Sequence, residues 1–312
     1  MALVGNGIRL AGNPGRYKVS GLFYAAERVI SDPYGSRKNF FVGEHCVKPG
    51  TSSAWAFGSS IMSTFDKASS SSWAPVTTGA LTAGEVGILQ VNFDNIGTAI
   101  GDNSEVTSVT DAAGNIWLKA REYTYSAGVA ADGATVSVWY TKATSTLSSG
   151  AAVTINFSGN TTAKVALLNT FTLGGGGEVT VAGSSVETQV GADPGSMVVT
   201  PSSGNREHLF YRATALETGG LSVITNTASY SALNDNITVG GGGTTNIYGT
   251  GEYRIFTGSS DTSDFTVAAA DNVSVFIAFV AGSSTSNVAN KSGSQPSGTG
   301  HPYAWFWAIK AG

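Results

Sequence analysis

Three histidines, His45, His208 and His301, and a single cysteine, Cys46, are the residues of this chain most suited to nucleophilic or metal chemistry, and their spacing supports neither. The histidines are too far apart in sequence to show a metal-ligand pattern. His45 and Cys46 are neighbours, and adjacent side chains of an extended segment point to opposite sides. No His-Glu-x-x-His, Gly-x-Ser-x-Gly, Walker or Cys-x-x-Cys signature is present. Paired carboxylates could hydrolyse a glycan, with Glu207, Glu217, Glu252, Asp264 and Asp271 on strand-like segments as candidates, but that chemistry needs two of them ~5 to 10 Å apart. Asp111, Asn115 and Asp132 fall in turn segments, where such side chains bond the local backbone. The expectation is a non-enzyme with no cofactor and no metal.

Aromatic residues offer a second kind of chemistry. Trp117, Trp139, Tyr123, Tyr125 and Tyr140 lie on or beside strand-like segments, where a ring can stack on a sugar or fill a core. Core filling is the favoured reading, and glycan stacking by Trp117, Trp139, Tyr123 and Tyr125 is the alternative. Asn156, Asn160, Asn236 and Asn272 each open an Asn-x-Ser/Thr triplet, a match that a Ser/Thr-rich chain produces by chance.

The elements that must hold these residues are strands. In Thr135-Val-Ser-Val-Trp-Tyr140, Val136, Val138 and Tyr140 share one face and Thr135, Ser137 and Trp139 the other, the period of a half-buried strand. Similar alternation marks 87–93, 116–121, 152–157, 164–173, 178–182, 196–200, 208–213, 221–226, 246–256, 264–268 and 272–280, with a turn at 111–115. The segment 272–280 is apolar on both faces and belongs inside a sheet or at a subunit interface. About a dozen such strands predict an all-β chain, a jelly-roll-like antiparallel β-sandwich. Two glycine runs, 174–177 and 240–243, have flanks too dissimilar to mark a repeat and read as flexible hairpin loops.

The first 78 residues differ in texture. Turn signals punctuate them, and Leu22, Ala26, Val29 and Ile30, then Phe57, Ile61, Met62 and Phe65, have helical spacing. The expectation is an irregular N-terminal arm, 1–78, containing short helices and ending at a serine run before Pro75, then a sandwich body, 79–282. A Gly/Ser-rich linker and an aromatic C-terminal strand complete the chain, 283–312. Tyr303, Trp305 and Trp307 alternate in that last strand, and an apolar set of this kind needs a cover.

Composition bounds the class. The chain has 312 residues, 41 glycines and only 12% charged side chains, against ~25% in an ordinary globular chain. One cysteine excludes an intramolecular disulfide, and no apolar run approaches the ~18 residues of a membrane span. Residues 1–50 carry seven basic and three acidic groups, leaving ten basic and eighteen acidic in the remainder. The basic arm, with Arg9, Arg16 and Lys18, is expected to dock on an acidic partner or particle; its charges are scattered, so nucleic acid is not the favoured partner.

Asp111-Ala-Ala-Gly-Asn-Ile-Trp117, Gly133-Ala-Thr-Val-Ser-Val-Trp139 and Ser149-Gly-Ala-Ala-Val-Thr-Ile-Asn-Phe-Ser158 together resemble a β-sandwich segment common in structural proteins of tailed bacteriophages. The likeness covers roughly 80–175, and the start at Gly5-Asn-Gly7 is similar to other virion protein starts. The resemblance implies a fibre, spike or head-decoration subunit, homo-oligomeric with a trimer favoured, held by its N-terminal arm to other virion proteins. Such a protein is assembled in the host cytoplasm, is released by lysis and can meet host surface glycan. Docking would then fall to Arg9, Arg16, Lys18, Tyr303, Trp305 and Trp307. No catalytic residue is implied.

Overall fold

The computed structural model describes residues 8–10, 16–19, 28–31, 55–174, 177–220, 223–240 and 245–282, and divides the chain into two compact units. Within the first unit, β1 (Ile8–Leu10), β2 (Arg16–Val19) and β3 (Arg28–Ser31) form an antiparallel three-strand sheet with Arg9 opposite Lys18. Val29 and Ile30, expected in a helix, are therefore strand residues; Leu22 and Ala26 lie outside the described residues.

The second unit, Ser52–Gly282, is the body. Its first eight strands are β4 (Trp55–Asp66), β5 (Ser70–Trp73), β6 (Val86–Asp94), β7 (Val106–Asp111), β8 (Leu118–Val129), β9 (Asp132–Lys142), β10 (Val153–Thr161) and β11 (Lys164–Leu173). They make a five-strand sheet, β4-β11-β6-β9-β8, and a three-strand sheet, β5-β10-β7. All pairings are antiparallel. The body thus begins some 24 residues before the boundary expected at 78, because β4 pairs with β11 along its length. The helix expected from Phe57 to Phe65 is this strand. Two register shifts insert extra residues into β4, so that Ile61 and Met62 are both buried, and a bulged strand can imitate helical spacing.

The remaining strands are β12 (Val179–Ala192), β13 (Met197–Val199), β14 (Arg206–Glu217), β15 (Ser231–Ala232), β16 (Asn236–Ile237), β17 (Ile247–Gly258), β18 (Asp261–Ser263) and β19 (Ala270–Ala281). One sheet runs β12-β19-β14-β17-β15, with β16 also on β17, and β13 pairs β18. The bridge Thr225–Thr266 extends the small sheet by a further step.

Counting strands within each half exposes a repeat of topology. The large sheet of the first half has the order 1-8-3-6-5 and its small sheet 2-7-4. The second half has the same order, with strand 5 split into β15 and β16 and strand 4 reduced to the bridge at Thr225. The glycine runs do not mark equivalent positions: one joins the halves and the other lies between β16 and β17.

The two large sheets pack face to face. Their shared core contains Val86, Ile88, Val136, Val138, Tyr140 and Phe171 from the first and Leu209, Tyr211, Val275, Ile277 and Phe279 from the second. Contacts across this face are reciprocal: β9 with β14 and β6 with β17, β8 with β19 and β11 with β16, and β6 with β14. A local two-fold axis along the strands therefore relates the sandwiches. On it, Gln90 donates to the carbonyls of Thr214 at 3.3 Å and Thr250 at 2.9 Å. The matching positions of β14 are Ala213 and Ala215, small enough to receive Gln90 and Asn92.

The outer faces of both large sheets are buried too. Leu89, Val91, Phe93, Trp139 and Leu168 meet Val109, Val153, Ile155 and Phe157 of the small sheet in the first sandwich. Phe210 and Phe276 meet Met197 and Val199 in the second. Hence β9 is buried on both faces over most of its length, where its alternation predicts only one, and β19 lies inside its sheet as its two apolar faces require.

Candidate functional site

The aromatics considered for glycan stacking are core residues. Trp117 is 6% exposed and its indole N–H donates to Asp111 Oδ2 at 2.9 Å; Trp139 is 7% exposed and donates to Ser137 Oγ at 2.9 Å. Tyr125 is buried in the central core and Tyr123 packs partly buried against it. Trp117, Trp139 and Tyr125 therefore present no open ring face to a sugar: fixing the sheets' inner faces consumes their apolar area. Asp111 is equally committed, accepting from the N–H groups of Ala113 at 2.9 Å and Asn115 at 3.0 Å. Arg9 lies on β1, and Arg16 and Lys18 on β2. Tyr303, Trp305 and Trp307 lie outside the described residues.

The carboxylates considered for hydrolysis are distributed over the body. Glu252, on β17, is buried and accepts from Thr227 Oγ1 at 2.6 Å, Thr227 N at 2.9 Å and Ser263 Oγ at 2.7 Å. Beside it Arg212 of β14 is completely buried, over the Phe265 ring at 4.6 Å, donating to Ser263 O and Gly195 O at 2.9 Å each and 3.7 Å from Glu187. Burial draws its guanidinium down to about 10, opposed by Glu187 and Glu252. Every feature of this network ties β12, β14, β17 and the small sheet together, a structural task.

Glu207 serves a different end. Its carboxylate accepts the backbone N–H of Trp55 at 2.8 Å, while its neighbour Arg206 donates to the carbonyl of Ala281 at 2.9 Å. The first residue of β4 and the last of β19 are thus clamped by consecutive residues of β14. Both points at which the body joins its flanking segments sit at one end of the double sandwich, hereafter the proximal end.

At the opposite, distal end the sequence candidates Glu217 and Asp271 meet, directly opposite each other in the β14–β19 ladder. Glu217 closes β14 as Asp94 closes β6, so the two occupy matching places about the local axis. Asp132, at the start of β9, completes the group. Glu217 is 9% exposed and Asp94 4%, and one carboxyl oxygen of each is buried without a hydrogen-bond partner. Burial, then the charges of Asp132, Asp94 and Asp271, push the Glu217 carboxyl up to about 7. Burial also raises Asp94, offset by Thr162, Ala163, Lys67 and Lys164. Tyr125 faces Asp271, and burial with that charge raises its hydroxyl. The arrangement can hold or release a proton near neutrality.

Sequence reasoning named Glu217 and Asp271 singly and missed their pairing with Asp94 and Asp132, since all four come from strand ends whose neighbours only the topology sets. Among the described residues no group of three or more His, Cys, Asp or Glu is arranged to hold a metal ion, and no helix is long and apolar enough to cross a membrane. Comparison with family models, with curated proteins and with solved structures finds no match for the chain.

Proposed function

We propose that this chain is a non-enzymatic bacteriophage virion structural protein, a fibre, spike or head-decoration subunit whose flanking segments attach it and whose double sandwich projects. One observation carries the reading: consecutive residues Arg206 and Glu207 hold both chain connections at the proximal end. A body tethered twice at one end presents its other end outward. The phage assignment itself rests on the resemblance of the 111–158 segments. Each sandwich is read as a jelly-roll variant, an eight-strand double sheet in which strand 5 stays beside strand 6 in the larger sheet. Homo-oligomerisation, with a trimer favoured, belongs to the same reading.

Immunogold electron microscopy of phage particles, using antibody to the body, tests it. Label at a fixed position on particles, lost when residues 1–54 are deleted, is the expected result. A chain that is absent from purified particles, or that is incorporated equally well without those residues, overturns it.

A further inference from the structure

The acidic group at the distal end belongs to neither sandwich alone. Asp94 and Asp132 come from β6 and β9 of the first, Glu217 and Asp271 from β14 and β19 of the second, and they meet where the shared core ends. Like charges directly opposite in a ladder repel, and Glu217 faces Asp271 in that way. Two further observations make the site more than a solvated acidic face. Asp94 Oδ1 and Glu217 Oε1 are buried without partners, at positions matched by the local axis. An unpaired buried carboxylate is costly, whereas its protonated form is neutral. The hairpin that supplies Asp132 also brings the backbone N–H of Gly133 to Glu217, across the seam between the sandwiches. Gly133 has φ +143°, and a Cβ there would meet the Tyr125 carbonyl, so this close approach of the hairpin requires glycine.

We propose that this distal seam is a proton-operated latch, in which Glu217 protonated from solvent keeps the ends of β6, β9, β14 and β19 together and Glu217 ionised lets them part. The groups facing it are known on every side: Asp94 from β6, Asp132 from β9 and Asp271 from β19, with Tyr125 of β8 facing Asp271 and Lys67 and Lys164 acting on Asp94. The lysines bear on Asp94, leaving Glu217 among three carboxylates. The closed seam holds its proton to higher pH than the open one, so opening is favoured as pH rises through the interval between an ordinary glutamate and about 7, then levels off. At the proximal end Glu207 accepts the Trp55 N–H and Arg206 donates to the Ala281 carbonyl, and this clamp is unaffected.

Hydrogen–deuterium exchange on the full chain from pH 5 to 8, corrected for intrinsic exchange, tests the latch. Protection at 94–97, 128–134, 215–218 and 269–272 is expected to fall by up to about tenfold per pH unit below the plateau, the slope of one proton. Protection at 86–90 and 206–210 is expected to stay level. Glu217→Gln should hold the distal segments closed throughout, and Asp271→Asn should move the wild-type transition to higher acidity on the closed form's plateau. A distal response unchanged in Glu217→Gln, or no distal response in the wild type, overturns the proposal. Should Glu217→Gln fail to fold, the wild-type profile and the Asp271→Asn shift decide it.

Discussion

The backbone N–H of Trp55, at the start of β4, donates to the carboxylate of Glu207 at 2.8 Å, across 152 residues of chain. A bond of this length in sequence fixes where the N-terminal flank leaves the body, and it spans the two sandwiches, since β4 belongs to the first and β14 to the second. The clamp therefore joins the two halves at the end opposite the acidic seam.

Removing the carboxylate tests the clamp. Glu207→Ala leaves the Trp55 N–H without its charged acceptor and is expected to cost about 1 to 2 kcal/mol in urea unfolding. Exchange at residues 55–57 should rise while the β6–β9 ladder stays protected. Equal loosening of both would mean that the bond has no local role.

Replacing a core indole separates packing from ligand binding. Trp139→Ala empties a site between the sheets of the first sandwich and is expected to destabilise by about 3 to 5 kcal/mol, read by thermal or denaturant unfolding. Full stability with loss of glycan-array binding would restore the stacking role.

Arg212 is the buried cation of the second sandwich. Arg212→Met leaves the buried Glu252 and the half-buried Glu187 beside an apolar side chain, and a loss of about 3 to 5 kcal/mol is expected, measured as a fall in the denaturation midpoint. Because β12, β17 and β18 all meet at this residue, exchange should rise in all three strands together.

Global stability carries the sign of the Glu217 titration. Its folded-state value lies above the unfolded one, so the folded chain holds the extra proton and the contribution is complete below the unfolded value and lost as pH rises to about 7. Glu217→Gln should therefore gain about 1 to 3 kcal/mol over the wild type at pH 8, an interval shortened from the full shift because solvent screens part of it, and little at pH 4. His208 acts in the opposite sense: burial depresses its basicity, and its contribution is lost as pH falls through the lowered value. Chemical denaturation across pH in the single variant and in His208→Gln resolves the two arms.

Much of the strand pattern is legible without coordinates. The segments at 87–93, 135–140, 164–173, 208–213 and 272–280 fall within strands, and those at 152–157 and 246–256 begin one residue before theirs. What misleads is bulging and brevity. In β4 the extra residues turn a period of two into an apparent helix, and β5 is hidden in the serine run 69–72 that reads as a boundary. Among the described residues of the segments expected at 221–226 and 264–268, the pairing is the bridge Thr225–Thr266.

The repeated topology leaves little trace in sequence for a physical reason. Residues on the local axis face their own counterparts, and two glutamines cannot occupy the same space, so Gln90 and Asn92 in one half demand Ala213 and Ala215 in the other. Symmetric packing thus drives the two sequences apart.

Alternating side chains by themselves determine that this is an all-β chain, because the backbone's period of two assigns every residue to a face before any partner is chosen. Which face meets which is decided only by folding: the large sheets stack on one face of β9, β14 and β19, the small sheets cover the other, and neither is left to solvent. The clamp at Glu207 and the acidic seam at Glu217 exist for the same reason. Each gathers residues far apart in the chain at strand ends, and strand ends become neighbours only once the order of strands in the sheets is set.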